Sequence, residues 1–177
     1  MTANKETKTN IFDNNKDDPE FFIRKCTVED LDGVIEVNER ELPEDYPYFF
    51  YKSILDEFPE SFLVAQNING EIIAYTMWRV EKAPSVNSLK YVNKAHLVSV
   101  AVSEPYRRKG IGTTLLSNSM AAIKKYKIHE YVLEVRVANY IAIRMYEKFD
   151  FKIISIKKTY YRDSENAYFM TLNAKKN

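Results

Sequence analysis

Two glycines and three cations stand together near the middle of the chain, in the run Arg107-Arg108-Lys109-Gly110-Ile111-Gly112. The chain has only four glycines, so two of them this close together indicate special backbone geometry. An apolar, strand-like segment precedes the run and an amphipathic helical pattern follows it. A helix N-terminus offers unpaired N–H groups and partial positive charge, so the run predicts a loop that cradles phosphates. The alternative is an ordinary tight turn with solvated charges.

The loop is neither a Walker A motif nor a dinucleotide fingerprint. Lys109 precedes Gly110, no Gly-Lys-Ser/Thr follows, and the glycine spacing of the dinucleotide motif is absent.

His96 and Glu134 are candidates for moving a proton. His96 opens one apolar segment, and Glu134 interrupts another. A carboxylate in apolar surroundings needs a partner or water, because burying it alone is costly. The two could act together as a general base. The alternative is that Glu134 pairs with Arg136 or Arg79 and that His96 only caps a strand.

Positioning these residues requires a sheet with helices on its faces. Hydrophobic periodicity predicts the order β-α-α-β-β-β-α-β-α-β-β. Strands are predicted at 21–26, 62–68, 71–80, 96–102, 131–137, 151–157 and 167–172. Helices are predicted at 28–40, at 48–57, after the glycine loop and at 139–149. Asn69-Gly70 predicts a type I′ hairpin turn, and residues 83–93 a polar connection.

Composition limits the other functions open to the chain. Its 177 residues carry 26 Lys and Arg against 25 Asp and Glu, so the net charge is +1. That balance disfavours specific nucleic acid binding and membrane-surface binding. With one cysteine, Cys26, and two histidines, neither an intrachain disulfide nor a cysteine-based or multi-histidine metal site is expected.

Residues 1–20 differ in composition from the rest. They are rich in Asn, Lys, Asp and Thr, which predicts a disordered N-terminal tail before a single domain over 21–177. The tail lacks the apolar core of a signal peptide, and no apolar run reaches the roughly 20 residues that span a membrane. The expected location is the cytoplasm.

The glycine loop and the strand before it resemble the acetyl-CoA signature of the GNAT acetyltransferases. The likeness extends over roughly residues 21–172, and within that family the chain most resembles archaeal Ard-type and RimI-type N-terminal acetyltransferases. Further stretches that carry it are His96 to Val102, Tyr106 to Leu116, and Leu133-Glu134-Val135-Arg136-Val137-Ala138-Asn139 with the segment to Tyr146. The resemblance implies the GNAT fold: a mixed, mostly antiparallel seven-stranded sheet flanked by about four helices. Two central parallel strands of that sheet splay apart around the thioester of acetyl-CoA.

The resemblance also implies where acetyl-CoA binds. The backbone of one splayed strand pairs with the pantetheine arm, and the amides of residues 108–113 hold the pyrophosphate. The implied cofactor-binding residues are Val98, Ser99, Val100, Ala101, Val102, Arg107, Arg108, Lys109, Gly110, Ile111, Gly112, Thr113, Asn139 and Tyr146.

By the same resemblance His96 and Glu134 bind a catalytic water, and Tyr146 protonates the departing thiolate. A metal bridging His96 and Glu134 is disfavoured. A weak base is enough for an N-terminal amine, whose pKa of about 7.7–8.0 leaves much of it neutral near pH 7. The alternative for Tyr146 is an ordinary packing aromatic among 13 tyrosines.

Two segments resemble the acceptor-binding loops of N-terminal acetyltransferases. The implied substrate-binding residues are Leu42, Pro43, Glu44, Tyr46, Tyr160 and Tyr161. Tyrosine hydroxyls can bond a peptide backbone without reading its side chains. Thr159 departs from the pattern, because relatives often carry Gly before the two tyrosines. The alternative is a proline-rich connection and a hairpin with exposed aromatics.

The sequence therefore predicts transfer of acetyl from acetyl-CoA to protein N-termini by direct attack in a ternary complex. Nascent or mature N-termini are the expected partners, with the ribosome as a candidate and a monomer or weak dimer as the assembly. The alternatives are acetylation of a small amine or a lysine side chain, and a non-catalytic acetyl-CoA-binding module.

Overall fold

The structure, a computed structural model, describes residues 21–174. The predicted tail over residues 1–20 lies outside the described residues. The elements follow the predicted order. The strands are β1 (Phe21–Lys25), β2 (Leu63–Asn67), β3 (Ile72–Pro84), β4 (Tyr91–Val102), β5 (Glu130–Arg136), β6 (Lys152–Lys157) and β7 (Ala167–Asn173). The helices are α1 (Leu31–Glu41), α2 (Tyr48–Glu57), α3 (Ile111–Ala122) and α4 (Tyr140–Lys148).

Within residues 21–174 the seven strands form one mixed sheet in the order β1-β2-β3-β4-β5-β7-β6. Every neighbouring pair is antiparallel except β4 and β5, which lie parallel at the centre. The predicted fold class is confirmed: the described part of the chain forms a mixed, mostly antiparallel seven-stranded sheet with four α-helices.

The helices divide between the two faces of the sheet. The buried apolar stripes of α1 and α2 pack on Tyr75, Met77 and Ala101. On the opposite face α3 and α4 pack on Trp78 and Leu133, among other residues. Each helix thus buries one apolar face, which is the main source of its stability. Within residues 21–174 no helix has the length and apolar character to cross a membrane.

The hairpin of β3 and β4 is longer than predicted. Pairing continues to Pro84 and Tyr91, so the connection covers only residues 85–90 instead of 83–93. The residues of this two-stranded extension mix charged, polar and apolar types without a clear alternation, so hydrophobic periodicity did not predict it. Consequently His96 lies in the middle of β4 and does not open the strand as predicted.

The prediction of a type I′ turn at Asn69-Gly70 is wrong. Such a turn needs positive φ at both central residues, and only Gly70 has it, at 88°. The turn is shaped instead by Asn67, whose Oδ1 accepts hydrogen bonds from the amides of Asn69 and Glu71 at 3.0 and 2.9 Å. Because the side chain of Asn67 takes the place of a backbone acceptor, the hairpin can close without a type I′ turn.

Candidate active site

The sheet opens between β4 and β5. The two strands pair only through Lys94, Ala95 and His96, and the register ends at the pair His96–Val132. Beyond it, β4 continues along β3 while β5 continues along β7. Backbone groups of β4 that face the opening can therefore pair with an extended ligand, as at a free sheet edge.

A β-bulge in β4 marks the same place. Met77 pairs with Ser99 and Trp78 with Leu97, so Val98 is an extra residue. A bulge bends its strand and reverses the alternation of side chains beyond it. Leu97 thus packs with α3 and α4, while Ser99 reaches the α1 and α2 face. The predicted pantetheine-binding segment, residues 98–102, begins at this bulge.

The glycine loop leads from β4 to α3 in a strained path that favours anion binding. Arg108 and Gly110 both have positive φ, at 68° and 81°. Helix α3 begins directly after Gly110, and the first N–H groups of a helix have no partner within it. Alternating backbone conformations before a helix N-terminus form a concave nest of amides. This backbone path suits an anion, and binding of the pyrophosphate by the loop stays a prediction.

Arg107 is already engaged by the protein. Its Nε donates to the carbonyl of Val102 at 3.0 Å, and its guanidinium bonds the carboxylate of Glu41. Glu41 also accepts from the amide of Glu104 at 3.2 Å. These contacts fasten the end of α1 to the glycine loop. Arg107 thus shapes the loop, and a large part of its charge is offset by Glu41.

His96 and Glu134 lie in contact on the α1 and α2 side of the opening. His96 Nε2 is 2.6 Å from Glu134 Oε2. The Glu134 side chain is only 7% exposed, which is rare for a carboxylate without partners. The alternative partners do not apply, since Arg79 bonds Glu81 and Arg136 bonds other carboxylates.

The second oxygen of Glu134 is bound by Lys157, which sequence reasoning missed. The ammonium of Lys157 contacts Oε1 from β6, passing over the ring of Phe169 at 4.7 Å. Burial raises the pKa of Glu134, but hydrogen bonds and charge from His96 and Lys157 outweigh burial and lower it to about 2. Glu134 is therefore ionised at any physiological pH.

No group of three or more potential metal ligands exists among residues 21–174. His96 and Glu134 alone would offer a metal two ligands. The Lys157 ammonium occupies the remaining carboxylate oxygen, and a cation there opposes a second cation. The side chains present therefore fit a metal ion poorly.

Tyr146 lies on the opposite side of the sheet from His96, in the core between α4 and β5. It is 5% exposed and packs edge-on against Phe151 at 6.0 Å between ring centroids. Burial raises the pKa of Tyr146 well above its ordinary value, so its hydroxyl stays protonated at neutral pH. The neutral hydroxyl is available as a hydrogen-bond donor.

Asn139 is the N-cap of α4. Its side-chain oxygen accepts a hydrogen bond from the amide of Ala142 at 3.1 Å. This contact stabilises the helix that carries Tyr146 and leaves the amide NH₂ of Asn139 as its donor. The structure therefore gives Asn139 a capping role in addition to the predicted contact with the cofactor.

The two predicted acceptor loops meet over the His96–Glu134 pair. Arg136, on β5, bonds Glu44 from the α1–α2 loop and bonds Asp163 and Glu165 from the β6–β7 loop at 2.7 and 2.6 Å. Its guanidinium stacks on the ring of Tyr161 at 4.0 Å. Arg136 therefore clamps the two loops together. Sequence reasoning considered Arg136 only as a partner of Glu134 and missed this role.

The predicted acceptor tyrosines surround Glu134. The rings of Tyr160 and Tyr161 are 5.0 Å apart and nearly perpendicular. Burial, followed by the negative charge of Glu134, raises the pKa of Tyr160 to about 12. Tyr46 stacks on Phe50 at 4.8 Å, and its pKa is raised by burial and by the charges of Glu44 and Glu134. Their hydroxyls therefore remain donors at neutral pH.

The other acceptor-loop residues differ in exposure. Leu42 ends α1, with its amide bonded to the carbonyl of Asn38 at 2.8 Å, and it is partly buried against the α1 and α2 core. Pro43 is exposed. Leu42 thus anchors the loop to the core.

A buried hydrogen-bond relay connects the α1–α2 loop, one of the two predicted acceptor loops, to β4. Tyr75 OH lies 2.7 Å from Ser99 Oγ and donates to Asn38 Oδ1 at 2.5 Å. Asn38 Nδ2 donates to the backbone carbonyl of Glu44 at 2.6 Å. The loop is thus fixed through its backbone by this relay and through its Glu44 side chain by Arg136. The relay could not be read from the sequence, because its members lie on three separate elements.

Thr159 occupies the position that is often Gly in relatives. The structure shows why glycine suits this position, because the backbone there is left-handed. Its φ is 52°, in the left-handed region where a β-branched residue is strained. The amide of Thr159 donates to Asn166 Oδ1 at 2.9 Å, which holds the turn. The hairpin therefore keeps a glycine-like conformation without a glycine.

Comparison with known proteins agrees with this geometry. A model of the acetyltransferase (GNAT) family matches residues 20–151. An N-alpha-acetyltransferase of Sulfolobus acidocaldarius is 45% identical over 155 residues, which cover 85% of this chain and 90% of that protein. The structure of Ard1 from Thermoplasma volcanium has a TM-score of 0.77 at 27% identity, covering 89% of this chain and 100% of that one. Naa20 from Chaetomium thermophilum, in complex with a bisubstrate analogue, has a TM-score of 0.75 at 30% identity, with 86% of each chain covered. The sequence motifs, the split sheet and these similarities together establish that the chain belongs to the acetyltransferase (GNAT) family.

Proposed function

We propose that this protein transfers the acetyl group of acetyl-CoA to the α-amino group of protein N-termini by direct attack in a ternary complex. The observation that carries the proposal is the contact of His96 with Glu134 at the point where β4 and β5 separate. Relatives named N-alpha-acetyltransferase and a relative solved with a bisubstrate analogue support the same reaction.

Acetyl-CoA binds along β4 and across the glycine loop. The backbone of Val98, Ser99, Val100, Ala101 and Val102 pairs with the pantetheine arm in the opening of the sheet. The amides of Arg108, Lys109, Gly110, Ile111, Gly112 and Thr113 hold the pyrophosphate. Arg107 shapes the loop that presents these amides to the cofactor. Most of this binding comes from backbone amides at the start of α3.

The acetyl transfer forms one bond and breaks another. The neutral amine attacks the thioester carbonyl, a C–N bond forms, and the C–S bond breaks as the thiolate leaves. The His96–Glu134 pair takes the amine proton, directly or through one water. Tyr146 supplies a proton to the thiolate from the opposite side of the opening and regains one from solvent as CoA leaves, while the His96–Glu134 pair releases its proton to solvent. Asn139 orients the pantetheine beside Tyr146.

The acceptor peptide enters between the two clamped loops. Tyr46, Tyr160 and Tyr161 present hydroxyl donors that bond peptide carbonyls, while Leu42, Pro43 and Glu44 form the opposite wall. Because these hydrogen bonds go to the peptide backbone, the site can bind N-termini of many different sequences.

The charges at this site disfavour a polyamine acceptor. A polycation requires free carboxylates, yet Glu44, Asp163 and Glu165 all bond Arg136. Glu134 is likewise held by His96 and Lys157. With these carboxylates neutralised, a single α-amine on a peptide is the better fit.

Initial rates measured while both substrates are varied test the direct-attack mechanism. A ternary complex gives double-reciprocal lines that intersect. Parallel lines, or acetyl-enzyme trapped without an acceptor, would overturn direct attack. Spermine used in place of the peptide is the control for acceptor class, and faster transfer to spermine would reject the N-terminal assignment.

The cellular setting forms part of the proposal. Residues 21–177 constitute the acetyltransferase domain, which acts in the cytoplasm on nascent or mature chains as a monomer or weak dimer. Ribosome profiles test whether the protein acts on nascent chains. Sedimentation of the purified protein tests whether it is a monomer or a weak dimer. Co-migration with ribosomes supports action during synthesis, and a tight dimer would contradict the assembly.

A further inference from the structure

Lys157 contacts Glu134 from β6, a strand that is not adjacent to β5 in the sheet. It lies at the end of β6, opposite Ala167 of β7, while Glu134 on β5 lies opposite Phe169 of β7. The lysine side chain therefore crosses an entire strand to reach the carboxylate. It crosses over the rings of Phe169 and Tyr160, with its ammonium 4.7 and 5.3 Å from their centroids. These contacts fix the ammonium with both apolar and cation–π interactions.

The two oxygens of Glu134 have separate partners. Oε1 is bound by Lys157 and Oε2 by His96. A carboxylate with one oxygen pinned presents the other in a fixed direction, which orients the imidazole. The same arrangement weakens Glu134 as a base, because its neighbours favour the ionised form.

Resting on the proposed function, we infer that Lys157 is a positioning residue that makes Glu134 the orienting carboxylate and His96 the base of the reaction. Ionised Glu134 accepts from the Nε2–H of His96, so the proton of the amine moves to Nδ1 of the imidazole and Glu134 stays ionised throughout. An imidazole in general titrates near pH 6.5, which suits an α-amine far better than a strongly acidic carboxylate does.

Other charged and titratable groups around Glu134 do not replace Lys157. Tyr46, Tyr160 and Tyr161 are close enough to be influenced by its charge, but their hydroxyls are neutral at pH 7. Arg136 on the same strand is bonded to other carboxylates, and Arg79 on β3 bonds Glu81. Within residues 21–174, Lys157 is the only lysine or arginine in an ion pair with Glu134.

The test replaces Lys157 by Met, Arg and Glu in the full chain, with Lys158→Met as the matched control on the neighbouring exposed residue. Without the lysine charge, Glu134 stabilises protonated His96 more strongly. The acidic limb of the kcat/KM profile should therefore move up by about one pH unit in Lys157→Met. The kcat at pH 6.5 should fall about tenfold with acetyl-CoA KM unchanged, and Lys157→Arg should restore most of it. Lys157→Glu should be worse than Lys157→Met, because it opposes Glu134 with a like charge.

A readout independent of turnover separates this inference from the proposed reaction. The chain has two histidines, so the ring signals of His96 can be followed by NMR in a His129→Gln background. The pH midpoint of these signals should rise by about one unit in Lys157→Met and stay unchanged in Lys158→Met. An unchanged midpoint and an unchanged acidic limb would overturn the role of Lys157. If no peptide is acetylated but the midpoint moves, the proposed function fails while the coupling of Lys157 to His96 stands.

Discussion

Arg136 on β5 bonds the carboxylate of Glu44, which lies 92 residues earlier in the chain, and so joins the α1–α2 loop to the sheet. The same guanidinium bonds two carboxylates of the β6–β7 loop and stacks on Tyr161. One side chain thus joins the two loops that form the walls of the proposed acceptor site. The planar, multidentate guanidinium suits this role better than an ammonium would.

Replacing Arg136 by Met should therefore weaken binding of the acceptor peptide far more than binding of acetyl-CoA. We expect the peptide KM to rise at least about tenfold, because two loops lose the charge that orders them. The acetyl-CoA KM should change less than about twofold, since its proposed site lies on β4 and α3. Arg136→Lys should not rescue the peptide KM. Equal changes in both KM values would show that Arg136 supports the whole fold and not the acceptor site.

Tyr75→Phe should destabilise the protein by about 1–3 kcal/mol, because the buried partners Asn38 and Ser99 lose a shared hydrogen bond. Urea unfolding measures the loss, and Tyr91→Phe is the control, since Tyr91 is 65% exposed. A loss no greater than that of the control would mean that the relay contributes nothing to stability.

Thr159→Gly should stabilise the protein by about 0.5–1 kcal/mol. Glycine adopts the φ of 52° without strain, and this gain exceeds the entropy that glycine adds to the unfolded chain. Thermal unfolding of wild type, Thr159→Gly and Thr159→Ala compares the three. Alanine keeps most of the left-handed penalty and should lie between the other two. A less stable glycine variant would show that Thr159 makes favourable contacts that outweigh its strain.

The stability of the fold should depend on pH through Glu134. Its pKa is lowered from 4.5 to about 2 in the folded protein, so its contribution is fully present above about pH 4.5 and is lost as the pH falls toward 2. Glu134→Gln should cost about 1–3 kcal/mol at pH 6 and progressively less at pH 4 and pH 3.

Urea unfolding at these pH values checks the trend, with Glu39→Gln, an exposed change on α1, as the control. A destabilisation by Glu134→Gln that stays constant from pH 6 to pH 3 would show that the native carboxylate gains nothing from His96 and Lys157.

The sequence predicted the features that depend on local pattern. Strand and helix periodicity placed every element in order, and the glycine spacing identified the loop before α3. The isolated Glu134 within an apolar run indicated a partnered carboxylate. Each of these signals lies within a few residues along the chain, where propensity and periodicity act.

The features that sequence reasoning missed depend on register between distant strands. Lys157 meets Glu134 only because β6, β7 and β5 align as they do, with an irregularity in the β6–β7 register between Ile153 and Ser155. A shift of one residue would turn Lys157 to the other face of the sheet. The extended β3–β4 ribbon was missed because its residues mix charged, polar and apolar types without a clear alternation, although its backbone pairing is regular.

The most direct test of the central claim is to map where the acetyl group goes. The substrate is a peptide with a free N-terminal serine and one internal lysine, incubated with acetyl-CoA and either wild type or His96→Gln. Fragment mass spectra locate the acetyl group. We expect it on the α-amine of serine, with the rate reduced at least about a hundredfold by His96→Gln and no transfer to an N-terminally blocked peptide. Acetyl found on the lysine side chain, or unchanged α-amine transfer in His96→Gln, would contradict this account.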